Sequence, residues 1–188
     1  MKINPNGAWV IGSPDRHIVS SELCDEIISI MRAKDLKNAV DLGCGNGLYV
    51  RQIRSAGFKC DGFDGNPLTE EMTEGLASVL DLSNTIFIGK YDLVVSLEVG
   101  EHIPSMYEDI FLNNLTKTAD KYIVLSWAIE GQRGTGHVNC RNNDWVIDQM
   151  KKREFRLTDD FYRLRDAVVG RKFRHFKNTI LTFEKEKI

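Results

Sequence analysis

A short apolar stretch, Asn38-Ala39-Val40-Asp41-Leu42, runs without a spacer into Gly43-Cys44-Gly45-Asn46-Gly47. A helical pattern through Tyr49, Val50 and Ile53 follows at once. Three alternating glycines between a buried strand and a helix constrain the fold more than any other feature of the chain. Glycine accepts positive φ and lets a ligand approach the backbone. The helix start behind the loop offers N–H groups to an anion. Such junctions belong to open α/β sheets, whose ligands bind beyond the carboxyl ends of the strands where the strand order reverses.

The remaining chain repeats this alternation. Strands are expected at residues 58–63, 77–80, 91–97 and 121–127, the last two apolar on both faces as central parallel strands are. A last strand, paired antiparallel, is expected at 176–183. Helices are expected from Ser20-Ser21-Glu22 onward through Leu23, Ile27, Ile30 and Met31, then at 68–76, 105–117 and 142–152, the last capped by Asn142 or Asn143. Residues 1–20 read as irregular, and 155–170 fit neither period. The expected fold class is α/β: a single-domain, Rossmann-like, mostly parallel sheet with an antiparallel last strand and helices on both faces.

A length of 188 residues suits one domain with a substantial core, and the 42% hydrophobic content is that of a soluble protein. The net charge of −2 argues against a strongly basic nucleic-acid binder. Residues 151–177 nevertheless hold ten basic side chains against four acidic ones. That tract reads either as a solvated helical face or as a rim attracting an anionic acceptor. Cys24, Cys44, Cys60 and Cys140 form no CxxC pair and match no zinc spacing, as expected of reduced thiols in a cytoplasmic protein. The first residues show no apolar leader, and no run reaches the ~18 apolar residues of a membrane span.

The chemistry-bearing residues cluster just after the strands. Asp41 precedes the loop and suits a ligand carrying a cation. Asp64 ends the second strand of the core, where an acidic residue accepts ribose hydroxyls. Asp81-Leu82 follows the third, placed for an adenine amino group and the face of its ring. The G-x-G-x-G spacing differs from the G-x-G-x-x-G of the dinucleotide fingerprint.

Val40–Gly47, Gly62-Phe63-Asp64-Gly65-Asn66, Leu80-Asp81-Leu82 and Tyr91–Glu98, in that order, resemble the class I S-adenosylmethionine-dependent methyltransferases over roughly residues 36–185. The resemblance implies a seven-stranded sheet and S-adenosylmethionine as cofactor. It implies cofactor contacts at Asp41, Gly43, Cys44, Gly45, Asp64, Gly65, Asn66, Asp81, Leu82, Ser96 and Leu97. It also implies a lid and first helix at residues 1–35 over a core at 36–188; Trp9 and His17 lie in that lid. The stretch between the second and fourth strands is short, so an abbreviated third strand is expected.

Ser96–Pro104 follows the central strand, beside the place of a methyl donor. Glu98, Glu101 and His102 are candidate catalytic groups for a hydroxyl acceptor, which profits from a general base. With His137 from the glycine-rich loop 131–136, they form a candidate divalent-metal set of two carboxylates and two imidazoles. This E-x-x-E-H spacing resembles that of the ubiquinone-pathway O-methyltransferases and the small-RNA 2′-O-methyltransferases, in which such residues hold a metal. A metal-free polar site and a purely structural role remain as alternatives. Trp127, Glu130, Gln132, Arg133 and Asn139 are further candidates for the acceptor wall, on a loop that glycines 131, 134 and 136 make mobile.

The expected function is methyl transfer to a small-molecule acceptor, by preference a hydroxyl. The Asp/Asn-Pro-Pro-aromatic motif of amino-group enzymes is absent, with Ser96-Leu97-Glu98-Val99 in its place. The alternatives are a nicotinamide-dependent oxidoreductase, disfavoured by the loop spacing, and an inactive cofactor-binding partner subunit, disfavoured by the polar cluster at 98–102.

Overall fold

The computed structural model describes residues 2–13, 17, 19–168, 170 and 173–186. Residues 14–16 and 18 of the stretch read as irregular, and Arg171 and Lys172 of the basic tract, lie outside them. The chain opens with an antiparallel hairpin of β1 (Lys2–Ile3) and β2 (Trp9–Val10), in a segment that reads as irregular. Helix α1 (Ser21–Ala33) follows, started by Ser20, whose side chain accepts from the Leu23 N–H. Its apolar stripe of Leu23, Ile27, Ile30 and Met31 is buried, as the 3–4-residue spacing requires.

Next come β3 (Asn38–Leu42), α2 (Leu48–Ser55), β4 (Lys59–Asp64), α3 (Thr69–Met72) and β5 (Ser78–Val79). The third core strand is cut to two residues, and the helix expected over 68–76 to four. Then follow β6 (Tyr91–Ser96), a 3-10 turn at Ser105–Tyr107, α4 (Glu108–Thr118), β7 (Ala119–Ser126) and α5 (Asn143–Lys151). The ambiguous stretch 155–170 resolves into β8 (Phe155–Leu157) and α6 (Asp160–Ala167). The strand expected at 176–183 starts later: Phe176–Thr179 forms a helical turn, α7, and β9 runs from Ile180 to Lys185. Four residues are too few for hydrophobic period to separate the two states.

The seven-stranded sheet has the order β5-β4-β3-β6-β7-β9-β8. Strand β9 alone runs against its neighbours β7 and β8. One apolar layer, with Leu23, Ile27, Val50 and Leu164, packs α1, α2 and α6 on one face. The other, with Phe111, Leu115, Val146 and Phe155, packs α4 and α5 on the opposite face. The order reverses between β3 and β6, so the loops after these two strands part and leave a crevice over the sheet edge. Asp41 pairs in register with Gly62 on one side and Val95 on the other, at the centre of this edge.

Part of the basic tract is engaged. Arg153 pairs with Asp109, Arg156 with Glu184, and Arg163 with Glu26. The Arg165 guanidinium lies over Phe161. These four side chains are engaged with partners on the protein itself.

Candidate active site

A cavity of about 420 Å³ fills the crevice. Its floor is the glycine loop, which folds back on β4: the N–H groups of Gly43 and Cys44 both donate to the Phe63 carbonyl, at 2.7 and 3.0 Å. Gly43, Gly45 and Gly47 all take positive φ, which side-chain-bearing residues rarely adopt. Asp64 clamps the loop. One of its carboxylate oxygens accepts from the Gly45 N–H at 2.9 Å and the other from the Asn66 N–H at 2.8 Å.

Asp41 is buried beneath the loop, and its Oδ2 has no hydrogen-bond partner. Burial, reinforced by the nearby charge of Asp64, pushes its carboxyl up to about 8. A buried acid without a partner keeps its proton until a cation arrives. Three of the four free cysteines, Cys24, Cys44 and Cys60, are also buried, and burial raises their thiols far above the ordinary range.

The remaining candidate cofactor residues divide into two groups. Gly65, Leu82 and Leu97 line the cavity with Cys44 and Asp81. Asp81 is already occupied: its carboxylate accepts from Ser83 and Asn84 and hydrogen-bonds Asn6 of the hairpin. Ser96 and Asn66 lie behind the wall. Ser96 Oγ donates to the Leu42 carbonyl at 2.7 Å, tying β6 to β3. Asn66 Nδ2 donates to the Ile11 carbonyl at 2.7 Å, holding the N-terminal segment in place.

The polar cluster after β6 faces the other end of the cavity. Glu101 is fully buried, and its carboxylate makes no hydrogen bond of full geometry, although the backbone of Glu101 and Ala128 and the Glu98 carboxyl interact with it. Burial raises its carboxyl well above the usual range, and the Glu98 charge adds to this. His102 and His137 stand beside it, their rings edge-to-face at 5.1 Å. Candidate ligand atoms of Glu101, His102 and His137 all lie within 4.8 Å of one another. His102 Nδ1 contacts the Gly136 carbonyl at 3.1 Å, and His137 Nδ1 contacts that of Gln132 at 3.2 Å. A carbonyl only accepts, so each Nδ1 carries a proton and donates it there. Burial holds the His102 imidazole neutral, down to about 4.

Glu98 sits differently from the other three. Its backbone has φ +57, a conformation stored mainly at functional sites. Its Oε1 accepts from Ser126 Oγ at 2.9 Å and from Thr179 Oγ1 at 3.4 Å. Its Oε2 is 3.7 Å from His175 Nε2. Glu98 thus borders the Glu101–His102–His137 group and ties it to the start of β9.

Of the acceptor-loop candidates, Gln132 and Arg133 line the cavity. Trp127 is buried behind it, its indole N–H donating to the Asn139 carbonyl at 2.6 Å. Glu130 pairs with Asn142 on the surface. Sequence reasoning missed Asn6, Tyr49, His175 and Phe176, which also line the cavity. Nothing in their local pattern marks them, because tertiary packing alone brings them to the strand ends.

A glycine loop, two acidic strand ends and a polar cluster around one crevice define an α/β domain built to hold a nucleoside-type cofactor beside a reacting group. The sequence profile of the family described as "Methyltransferase domain" matches residues 16–157, and the chain belongs to that family. It is similar to the chloroplastic tocopherol O-methyltransferase of Arabidopsis thaliana, at 30% identity over 110 residues, which span 50% of this chain and 31% of that protein. Its fold matches magnesium protoporphyrin IX methyltransferase of Synechocystis, with TM-score 0.65 and 19% identity, covering 87% of this chain and 82% of the other. It also matches an amino pentose methyltransferase of Micromonospora echinaspora, with TM-score 0.68 and 11% identity, covering 92% and 94%.

Proposed function

We propose that this chain transfers the methyl group of S-adenosylmethionine to a hydroxyl of a small-molecule acceptor. The observation that carries this reading is the unpaired, buried Asp41 Oδ2 under the glycine loop. A dinucleotide presents an anionic pyrophosphate to such a loop, and a buried carboxylate beside it is unfavourable. The adenosyl amino acid presents an ammonium, which gives Asp41 the cation its burial demands. Asp64 then accepts from the ribose, and Leu82 packs on the adenine. The tocopherol enzyme named above is an O-methyltransferase, which supports oxygen as the acceptor atom.

In the reaction, the acceptor oxygen attacks the methyl carbon. The carbon–sulfur bond breaks, its electron pair returns to sulfur, and the hydroxyl proton leaves to a base. The protein holds the three centres in line. In this reading neutral His102 and buried Glu101 are the groups that would take that proton. The same residues, with His137, fit a divalent cation: one carboxylate and two imidazoles suit the intermediate and harder divalent ions. Bound there, the ion would acidify the acceptor hydroxyl. Glu98 would support Glu101 from its anchor on Ser126.

Residues 1–35 serve in this reading as lid and first helix over the 36–188 core. No helix among the described residues is long and apolar enough to cross a membrane. We place the protein in the cytoplasm on its four free cysteines, and fractionation of cells tests that assignment. Titration calorimetry with S-adenosylhomocysteine and with NAD tests the cofactor. Binding of NAD alone would overturn the reading. Methyl transfer to a panel of hydroxylated small molecules then tests the acceptor.

A further inference from the structure

The N-terminal segment brings one group to the cavity that the reading above leaves unused. The His17 ring lies directly on the glycine loop: a Cβ on Gly45 would stand 2.6 Å from its Nδ1. Only the missing side chain at position 45 admits it. Its Nε2 is buried and has no hydrogen-bond partner, although the residue lines the cavity. A buried ring nitrogen left unpaired is costly, so such an atom marks where a ligand completes the site. On the adjoining side stands Asp64, whose charge acts on His17.

We propose that His17 is a cofactor-binding residue whose Nε2 hydrogen-bonds a ribose hydroxyl of the nucleoside held between Gly45 and Asp64. The inference rests on the methyltransferase reading. Burial keeps the imidazole neutral. A hydroxyl both gives and takes a hydrogen bond, so it suits either tautomer of a neutral ring. Asp64 already accepts two backbone N–H bonds, and its oxygens offer the ligand further acceptor positions. His17 supplies a second and different partner to the hydroxyl pair.

The contact has a consequence for residues 2–12. They cross the cavity with Ala8 against Gly65 and Gly7 against the His102 carbonyl: a Cβ on Gly7 would lie 2.0 Å from that oxygen. Asn66 holds Ile11 from below. His17 lines the same cavity as Asn6, Gly7, Ala8 and Trp9, so a bond from it to the nucleoside couples cofactor binding to the order of residues 2–12.

Two variants separate a hydrogen-bonding role from a packing role. His17→Phe keeps the ring and removes the nitrogens; His17→Gln keeps a polar group near Nε2 and removes the ring. Affinity for S-adenosylhomocysteine is measured by calorimetry, with thermal unfolding to confirm that both variants fold. The expected result is about tenfold weaker binding for His17→Phe and a loss of no more than about threefold for His17→Gln. Hydrogen exchange at residues 2–12 should slow on ligand addition in the native protein and in His17→Gln, but not in His17→Phe. If His17→Phe binds as tightly as the native protein, or His17→Gln is the weaker of the two, the proposal is overturned and the methyltransferase reading stands. If the native protein itself does not bind S-adenosylhomocysteine, both fall together.

Discussion

The backbone N–H of Gly45 donates to the Asp64 carboxylate at 2.9 Å, joining the loop after β3 to the end of β4 across 19 residues of sequence. The carboxylate therefore has two tasks. It fixes the loop before any ligand arrives, and its remaining lone pairs face the cavity. Asp64→Ala should weaken S-adenosylhomocysteine binding by about 1–3 kcal/mol, because charge-assisted hydrogen bonds are lost. Asp64→Asn retains one acceptor oxygen and should lose less. Calorimetry on both variants checks the order; equal affinity in Asp64→Ala and the native protein would contradict the assigned ribose contact.

Asp41 makes a prediction about protons. Its carboxyl sits at about 8 in the folded protein against 3.8 for an exposed aspartate. Near pH 6.5 the free protein holds this proton. Pairing with a ligand ammonium requires the ionised form, so binding should release up to about one proton. Calorimetry in buffers of different ionisation enthalpy measures that release directly, and Asp41→Asn should abolish it. The same group makes the unliganded fold weaker as pH rises. Between about pH 4 and pH 8 the unfolded chain has given up the proton and the native state still binds it, so stability falls through that window and levels off above it. In Asp41→Asn the denaturation midpoint should fall less between pH 5 and pH 8.

The cofactor half of the site could be read in the sequence because it is local. A strand, a loop and a helix start occupy residues 38–50, and each acidic residue stands within two residues of the end of its own strand. The positive φ of Gly43, Gly45 and Gly47 follows from the same short pattern. The acceptor half was legible only as residue types. Glu98 and His102 are four positions apart, yet Glu98 turns to Ser126, Thr179 and His175 while His102 turns to the loop at Gly136. Chain spacing does not encode that divergence; the φ of +57 at Glu98 produces it. The α7 turn reads as strand in the sequence because Phe176 and Thr179 carry strand-favouring side chains, and tertiary packing overrides that weak propensity. The hairpin at residues 2–10 escaped because its paired strands are two residues each.

Glu101 offers a test of the cation reading that does not depend on turnover. A fully buried carboxyl beside Glu98 with no counter-charge among the described residues destabilises the fold. Glu101→Gln removes the ionisable group at nearly constant volume. It should raise the unfolding temperature of the metal-free protein and abolish calorimetric binding of Mn²⁺, and the native protein should be stabilised by that ion. If Mn²⁺ neither binds nor stabilises the native protein, the three residues act as a metal-free polar site. The Glu101→Gln variant should then lose methyl transfer while keeping its affinity for S-adenosylhomocysteine.

Gly100 couples the site to the core. A Cβ at this position would lie 2.4 Å from the indole ring of Trp127. That ring is held on all sides: its N–H donates to the Asn139 carbonyl at 2.6 Å, and Phe111 and Trp145 pack edge-to-face at 5.6 and 5.7 Å. It cannot turn aside, so in Gly100→Ala the backbone must move, at a cost of about 1–3 kcal/mol as in other overpacked cores. The movement falls between Glu98 and Glu101, and both carboxylates shift with it. Denaturant unfolding should show the loss of stability, and methyl transfer should fall further than cofactor affinity. Pairing the change with Trp127→Leu, which vacates the space, should recover part of the stability. No recovery would mean that the clash with the indole is not what position 100 guards against.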